Sequence, residues 1–181
     1  MQTLELGLLA WVISWFASIL LIASAWQKFC DLALFRSHLT AYDLLSPGWT
    51  EAMTYLLPIS ELIASLLLLI SPSSGVGHGL AMGLMLLYGV AMAIKRLAGY
   101  RDLECGCSGA ALRVSWGLVI RNTMLAALIC LAACASQSLN ETSHMVVAMG
   151  LGFLLWTAYA LLEKSLSLLF KARRLQSIHA L

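Results

Sequence analysis

The chain has 181 residues, of which 61% are hydrophobic and only 11% charged. A soluble domain carries about 25% charged residues, and the mean hydropathy here is +0.87, so composition excludes an ordinary soluble enzyme and points to a protein embedded in a lipid bilayer. The net charge of +2 is too small for a nucleic-acid partner.

Five runs have the length of a membrane span: 6–26, 52–70, 76–94, 114–135 and 145–162. A bilayer core needs about 20 apolar residues per helix, within a range near 17–25. The runs must be helical, because a spanning chain has to satisfy its own backbone polar groups. The first run has no basic flank and no small-residue cleavage site, so it reads as a retained helix rather than a leader. The expected fold is therefore all-α, a single membrane domain over 1–181, with a bundle of five transmembrane helices and a four-helix core. Short loops join spans two to three and four to five, which predicts that each of these pairs packs antiparallel. Segment 27–49 mixes Phe35, Leu39 and Tyr42 with Lys28, Asp31 and Arg36, and reads as an amphipathic surface helix ended by Ser46-Pro47-Gly48. The tail after Glu163 has a similar character.

Lys28 and Arg36 follow the first span; Lys95, Arg96, Arg101 and Arg113 lie between the third and fourth; Lys164, Lys171, Arg173 and Arg174 follow the fifth. Loops 71–75 and 136–144 hold neither Lys nor Arg. Ten of the eleven basic residues thus fall on one side, and Arg121 lies inside a span. The positive-inside rule then predicts an outside N-terminus and an inside C-terminus, with loop 95–113 on the cytoplasmic side.

That loop holds Glu104-Cys105-Gly106-Cys107-Ser108-Gly109. Thiolates are the nucleophiles of disulfide exchange and are also soft metal ligands. A Cys-X-Cys disulfide is at the edge of standard geometry and hence easily reduced, and Gly106 relieves the backbone. The basic neighbours favour the thiolate and Glu104 opposes it. Metal binding is the weaker reading, since a closed zinc site wants four ligands and only two thiols are local; two small residues in a turn is the plain alternative. Five cysteines is an odd count, so one at least is unpaired within a monomer. Cys130 and Cys134 share a helix face too widely spaced for an unstrained disulfide and read as small hydrophobes, with a second thiol station as the alternative. Cys30 is a candidate resolving thiol.

Glu61 and Arg121 are charges inside spans, and Lys28 stands at a span edge. Intramembrane charges are costly, pair with one another and mark function. The economical expectation is a Glu61–Arg121 pair, with Asn122 as an added hydrogen-bonding group and Lys28 either joining it or snorkelling to the interface. Such a group is a polar pocket for a quinone headgroup, a proton path, or an interhelical lock. Pro58 is expected to bend the second span and free a carbonyl. Trp26, Trp49 and Trp116 read as interface anchors. Met82, Met85 and Met92 read as packing rather than copper ligands, and no His-rich metal signature appears.

Taken together, Lys28, Tyr42-Asp43-Leu44-Leu45-Ser46-Pro47, Leu57-Pro58 with Glu61, Cys105-Gly106-Cys107-Ser108-Gly109 and Trp116 leading to Arg121-Asn122 resemble the methylamine utilisation MauE family, within the broader DoxX-like membrane group. The resemblance covers about residues 6–135. The usual pattern has Phe where this chain has Ser108. The resemblance implies an accessory role in the bacterial inner membrane, in maturing the disulfide-rich, quinone-bearing small subunit of methylamine dehydrogenase in the periplasm. It also implies a thioredoxin-like, membrane-anchored MauD-like partner. Cys105 and Cys107 would then exchange disulfides, with Glu61, Arg121, Asn122 and Lys28 shaping a polar pocket. A non-catalytic docking factor and a small metal or solute transporter are the rival readings. A periplasmic client conflicts with a cytoplasmic Cys loop. The conflict resolves if electrons cross the membrane, if the loop folds back into the bundle, or if the orientation is reversed.

Overall fold

In a computed structural model, residues 2–99, 115–135 and 142–179 are described. They form six helices: α1 (Gln2–Cys30), α2 (Leu32–Tyr42), α3 (Pro47–Ile70), α4 (Gly75–Leu97), α5 (Trp116–Ala135) and α6 (Thr142–His179). The fold is all-α, and five helices are long and apolar enough to cross a membrane: Glu5–Cys30, Pro47–Ile70, Gly75–Leu97, Trp116–Ala135 and His144–Leu169.

The connections follow from local chemistry. Asp31 caps α2 by accepting from the Leu34 N–H at 2.9 Å, and Asp43 ends it in the left-handed region at φ 43°. Asp tolerates that conformation because its short polar side chain bonds locally. Pro47 then opens α3 at its first helical position, where a missing N–H costs nothing. Ser74 caps α4 through the Gly77 N–H. α3 continues through Pro58 as an unbroken helix. Segment 27–49 is thus the last turn of α1, all of α2 and the start of α3. α2 is amphipathic as expected, and its Phe35 and Tyr42 are buried. The tail after Glu163 is a direct continuation of α6; no Gly or Pro between 163 and 179 interrupts it.

α1 is the axial helix. Ala10, Ser14, Ala17, Ser18, Leu21 and Ala25 are buried on it, and such small residues let neighbouring backbones approach. Ser18 Oγ donates to the Ser65 carbonyl at 2.9 Å, tying α1 to α3. The main core draws on α1, α3, α4 and α5 through residues such as Leu21, Leu68, Leu84, Met92 and Ile129, with Met85 and Met92 as packing side chains. This is the expected four-helix core. α3 and α4 pack together as their short turn requires. The expectation fails for α5 and α6, which scarcely pack on one another; α6 lies instead against α1. The reason is a close backbone approach. Gly152 faces Trp15 so tightly that an added Cβ would stand 2.7 Å from the Trp15 Cβ and 3.1 Å from the Val12 carbonyl oxygen. Trp11, Val12, Trp15 and Ala148 form a second small core at this crossing.

Gly152→Ala should therefore push α6 off α1 and lower thermal stability in detergent, with an overpacking cost of about 1–3 kcal/mol. Gly150→Ala, where nothing lies within 4 Å of the added carbon, should melt as the parent protein does. Equal melting of the two variants would contradict the packing described.

Candidate functional site

Three helices bring polar groups to one buried point near the basic end of the bundle, and a fourth adds an aromatic ring. Glu61 sits one turn after Pro58 on α3 and is 0% exposed. Its Oε1 accepts from Lys28 Nζ at 2.5 Å, Tyr88 Oη at 2.7 Å and Ser24 Oγ at 3.1 Å. Lys28 is 3% exposed. It also donates to Ser24 Oγ at 2.7 Å, and its ammonium lies 5.4 Å from the Phe35 ring centroid and 5.0 Å from that of Tyr88. A cation over aromatic faces is further stabilised by their quadrupoles. Lys28 stands in the last turn of α1, so its stem runs back into the bundle instead of out to the interface. Glu61 Oε2 is buried with no hydrogen-bond partner among the described residues.

The expected Glu61–Arg121 pair does not form. Glu61 is taken by Lys28, and Arg121 pairs with Glu163 on α6 at 2.7 Å. The cause is positional: Lys28 and Glu61 face each other across the antiparallel α1–α3 contact, whereas Arg121, in the second turn of α5, faces the C-terminal half of α6. Asn122, next to Arg121, is 2% exposed. Its Oδ1 accepts from the guanidinium at 3.4 Å, while its Nδ2 has no partner among the described residues.

A cavity of about 90 Å³ separates the two ion pairs, bordered by Ser24 and Tyr88 on one side and by Arg121, Asn122, Tyr159 and Glu163 on the other. Arg121 and Asn122 border this cavity, whereas Lys28 and Glu61 lie behind Ser24 and Tyr88, so the expected single pair is replaced by two separate ones. Ser24, Tyr88 and Glu163 escape the sequence reading. Ser and Tyr are ordinary in apolar spans; Glu163, one residue beyond the expected end of the fifth span, is the acid that an intramembrane Arg121 requires.

Cys105 and Cys107 lie outside the described residues. Cys30, Cys130 and Cys134 are free and exposed. The last two lie on an outward face of α5, where thiols act as small apolar groups. At the opposite end of the bundle His78, buried at 2%, bridges helices: Nε2 meets Ser14 Oγ at 2.9 Å and Nδ1 meets the Ser74 carbonyl oxygen at 2.8 Å. The carbonyl can only accept, so Nδ1 carries a proton.

Breaking a buried ion pair leaves an uncompensated charge and costs about 3–5 kcal/mol, whereas replacing both partners by apolar groups is often near neutral. Lys28→Met and Glu61→Leu should each markedly lower the melting temperature, and the double variant should recover much of the loss. Additive losses in this cycle would show that the two side chains do not compensate one another.

The family described as methylamine utilisation protein MauE matches residues 6–135. The chain is 28% identical over 159 residues to the methylamine utilization protein MauE of Paracoccus denitrificans, covering 84% of this chain and 86% of that protein. It is 27% identical over 162 residues to the same-named protein of Paracoccus versutus, covering 87% of each. No solved structure matches. The matched region contains Lys28, Glu61, Tyr88 and Asn122 together with the Cys-Gly-Cys loop, and the chain belongs to the MauE family of methylamine utilisation proteins.

Proposed function

We propose that this protein is a thiol–disulfide exchange component of the bacterial inner membrane, acting in the maturation of a periplasmic, disulfide-rich quinoprotein subunit alongside a thioredoxin-like, membrane-anchored partner. The observation that carries this reading is Cys105-Gly106-Cys107, a thiol pair between α4 and α5 and within the region matched to the family. The family name supplies the physiological setting, methylamine utilisation. The client on this reading is the small subunit of methylamine dehydrogenase.

In the exchange a partner thiolate attacks one sulfur of the Cys105–Cys107 disulfide. A mixed disulfide forms and the other cysteine leaves as thiolate. The second partner thiol then resolves the mixed disulfide, so the partner ends oxidised and the pair reduced. Lys95 and Arg96, in the last turn of α4, supply positive charge beside the loop, which favours thiolate character. The Lys28–Glu61 cluster holds together α1, α3 and α4, the last of which leads into this loop.

On this reading the Lys/Arg bias puts the loop at the cytoplasmic face, with the N-terminus outside and the C-terminus inside. A periplasmic client is then reached by electrons crossing the membrane or by a loop that folds back into the bundle. Two measurements test the reading. In a methylamine-grown host, Cys105→Ser with Cys107→Ser should abolish assembly of active methylamine dehydrogenase while leaving the membrane protein at its normal level; retained maturation would make the protein a docking factor instead. In a variant lacking Cys30, Cys130 and Cys134, a membrane-impermeant maleimide should label Cys105 and Cys107 only after permeabilisation and reduction. Labelling in intact cells after an impermeant reductant would reverse the orientation.

A further inference from the structure

The cavity between the two ion pairs has features that the thiol chemistry alone does not use. It lies at the cleft between α5 and α6, two helices that scarcely pack on each other, with Ser24 of α1 and Tyr88 of α4 behind it. Trp156 and Tyr159 of α6 flank it, both half-buried. Arg121 and Glu163 join α5 to α6 across this cleft. On the outer surfaces beside it, Met124, Leu128 and Leu155 are exposed, as side chains facing lipid would be. The cleft therefore opens sideways toward the membrane interior.

Charge and hydrogen bonding define what fits. Among the described residues, the charged groups that line the cavity are Arg121 and Glu163, which pair with one another, and Lys28 behind Ser24 and Tyr88 is likewise matched by Glu61. The site is thus electrically balanced: an anionic headgroup meets Glu163 and a cationic one meets Arg121, whereas a neutral group avoids both penalties. Asn122 lines the cavity. The guanidinium beside its Oδ1 fixes the orientation of the amide, which leaves Nδ2, a buried donor with no partner among the described residues. A buried donor without a partner costs free energy until an acceptor arrives. The matching ligand is neutral, flat enough to lie against Trp156 and Tyr159, equipped with a carbonyl acceptor, and delivered from lipid.

We infer that the α5–α6 cleft is a binding site for the headgroup of a membrane quinone, with one ring carbonyl accepting from Asn122 Nδ2 and the Arg121–Glu163 pair acting as the gate. The gate follows from size. The cavity of about 90 Å³ is smaller than the roughly 150 Å³ that holds a benzene ring, so a ring entering it has to widen the cleft, and the Arg121–Glu163 pair is the contact that spans it. Both partners are partly exposed, at 21% and 16% of their side chains, which leaves them room to swing. The purpose of the site rests on the thiol reading proposed above. Two thiols lose two hydrogens and become one disulfide, and the quinone gains both hydrogens and both electrons as a quinol. Ser24 and Tyr88 border the cavity and each donates to Glu61, so a hydrogen-bonded path runs from the ring to a buried carboxylate.

The test uses the full-length protein in lipid nanodiscs, photolabelled with an azido-quinone in competition with decylubiquinone. The expected result is one adduct on α5 or α6 that decylubiquinone competes out saturably. Asn122→Leu, and Asn122→Asp, which keeps the shape but removes the amide donors, should each weaken competition on the order of tenfold. Glu163→Gln, which loosens the gate, should label faster. Labels scattered over lipid-facing residues, or competition unchanged in an Asn122 variant that melts as the parent does, would overturn the site. Thiol state is read in the same samples. A competed adduct with Cys105 and Cys107 still reduced after decylubiquinone addition upholds the site and sinks the thiol reading. Disulfide formation without a competed adduct overturns the site and leaves the thiol reading standing.

Discussion

One carboxylate oxygen organises this bundle. Glu61 Oε1 receives three donors from two other helices, Lys28 and Ser24 on α1 and Tyr88 on α4, and α2 adds the Phe35 ring over the ammonium. In hydrocarbon none of these groups has water as a fallback, so separating any one of the helices strands a charge or a donor. A cluster of this kind supplies direction, which uniform apolar packing cannot. Leu and Ile side chains tolerate rotation and sliding of a helix, whereas three donors aimed at one atom fix depth and rotation together. The last turn of α1 is thereby held inside the bundle, although a Lys next to Trp26 and Gln27 reads at first as an interfacial residue.

The helix outside this arrangement is held differently. α6 meets α1 at Gly152 and Ala148 in one half of its length and meets α5 through Arg121–Glu163 in the other. Between those points its walls do not close on α5, and the cavity is the result. The space is therefore a consequence of how α6 is anchored: a tight small-residue crossing at one level and a single ion pair at another leave a gap beside Tyr159. Replacing that ion pair with apolar packing would fill the gap, while retaining it preserves a cleft whose width depends on one partly solvated contact.

Much of this was legible in the sequence, for identifiable reasons. Five apolar runs specify five helices because a membrane span has no other backbone solution. Glu61, Lys28, Arg121 and Asn122 stood out because polar groups in such runs are rare. Helix ends were less legible. The hydropathy of 52–70 marks where α3 is apolar, but the helix begins at Pro47, a position set by proline's fixed φ and not by hydrophobicity. The α6 boundary was missed for the converse reason, since a polar tail without Gly or Pro has nothing to stop the helix. Pairing was the least legible property. Which carboxylate meets which cation depends on the relative depth of two helices, and a long lysine stem blurs depth by a full turn. Tyr88 and Ser24 carry no signal at all, since each is an ordinary residue of a membrane span until a carboxylate is placed opposite it.

The distribution of the cluster along the chain separates what the first five helices hold from what α6 adds. The family match runs over 6–135 and so takes in α1 to α5 nearly whole. It contains Lys28, Glu61, Tyr88, Ser24, Arg121 and Asn122, but ends before Thr142, where α6 begins. Among the described residues Glu61 is bonded to Lys28, and the carboxylate that meets Arg121, at 2.7 Å, is Glu163 of α6. The inner cluster is thus complete within the core, and the outer pair requires the fifth span. α6 accordingly both neutralises Arg121 and supplies the second wall of the cleft, and the two roles are inseparable because the same side chain performs the first and closes the second.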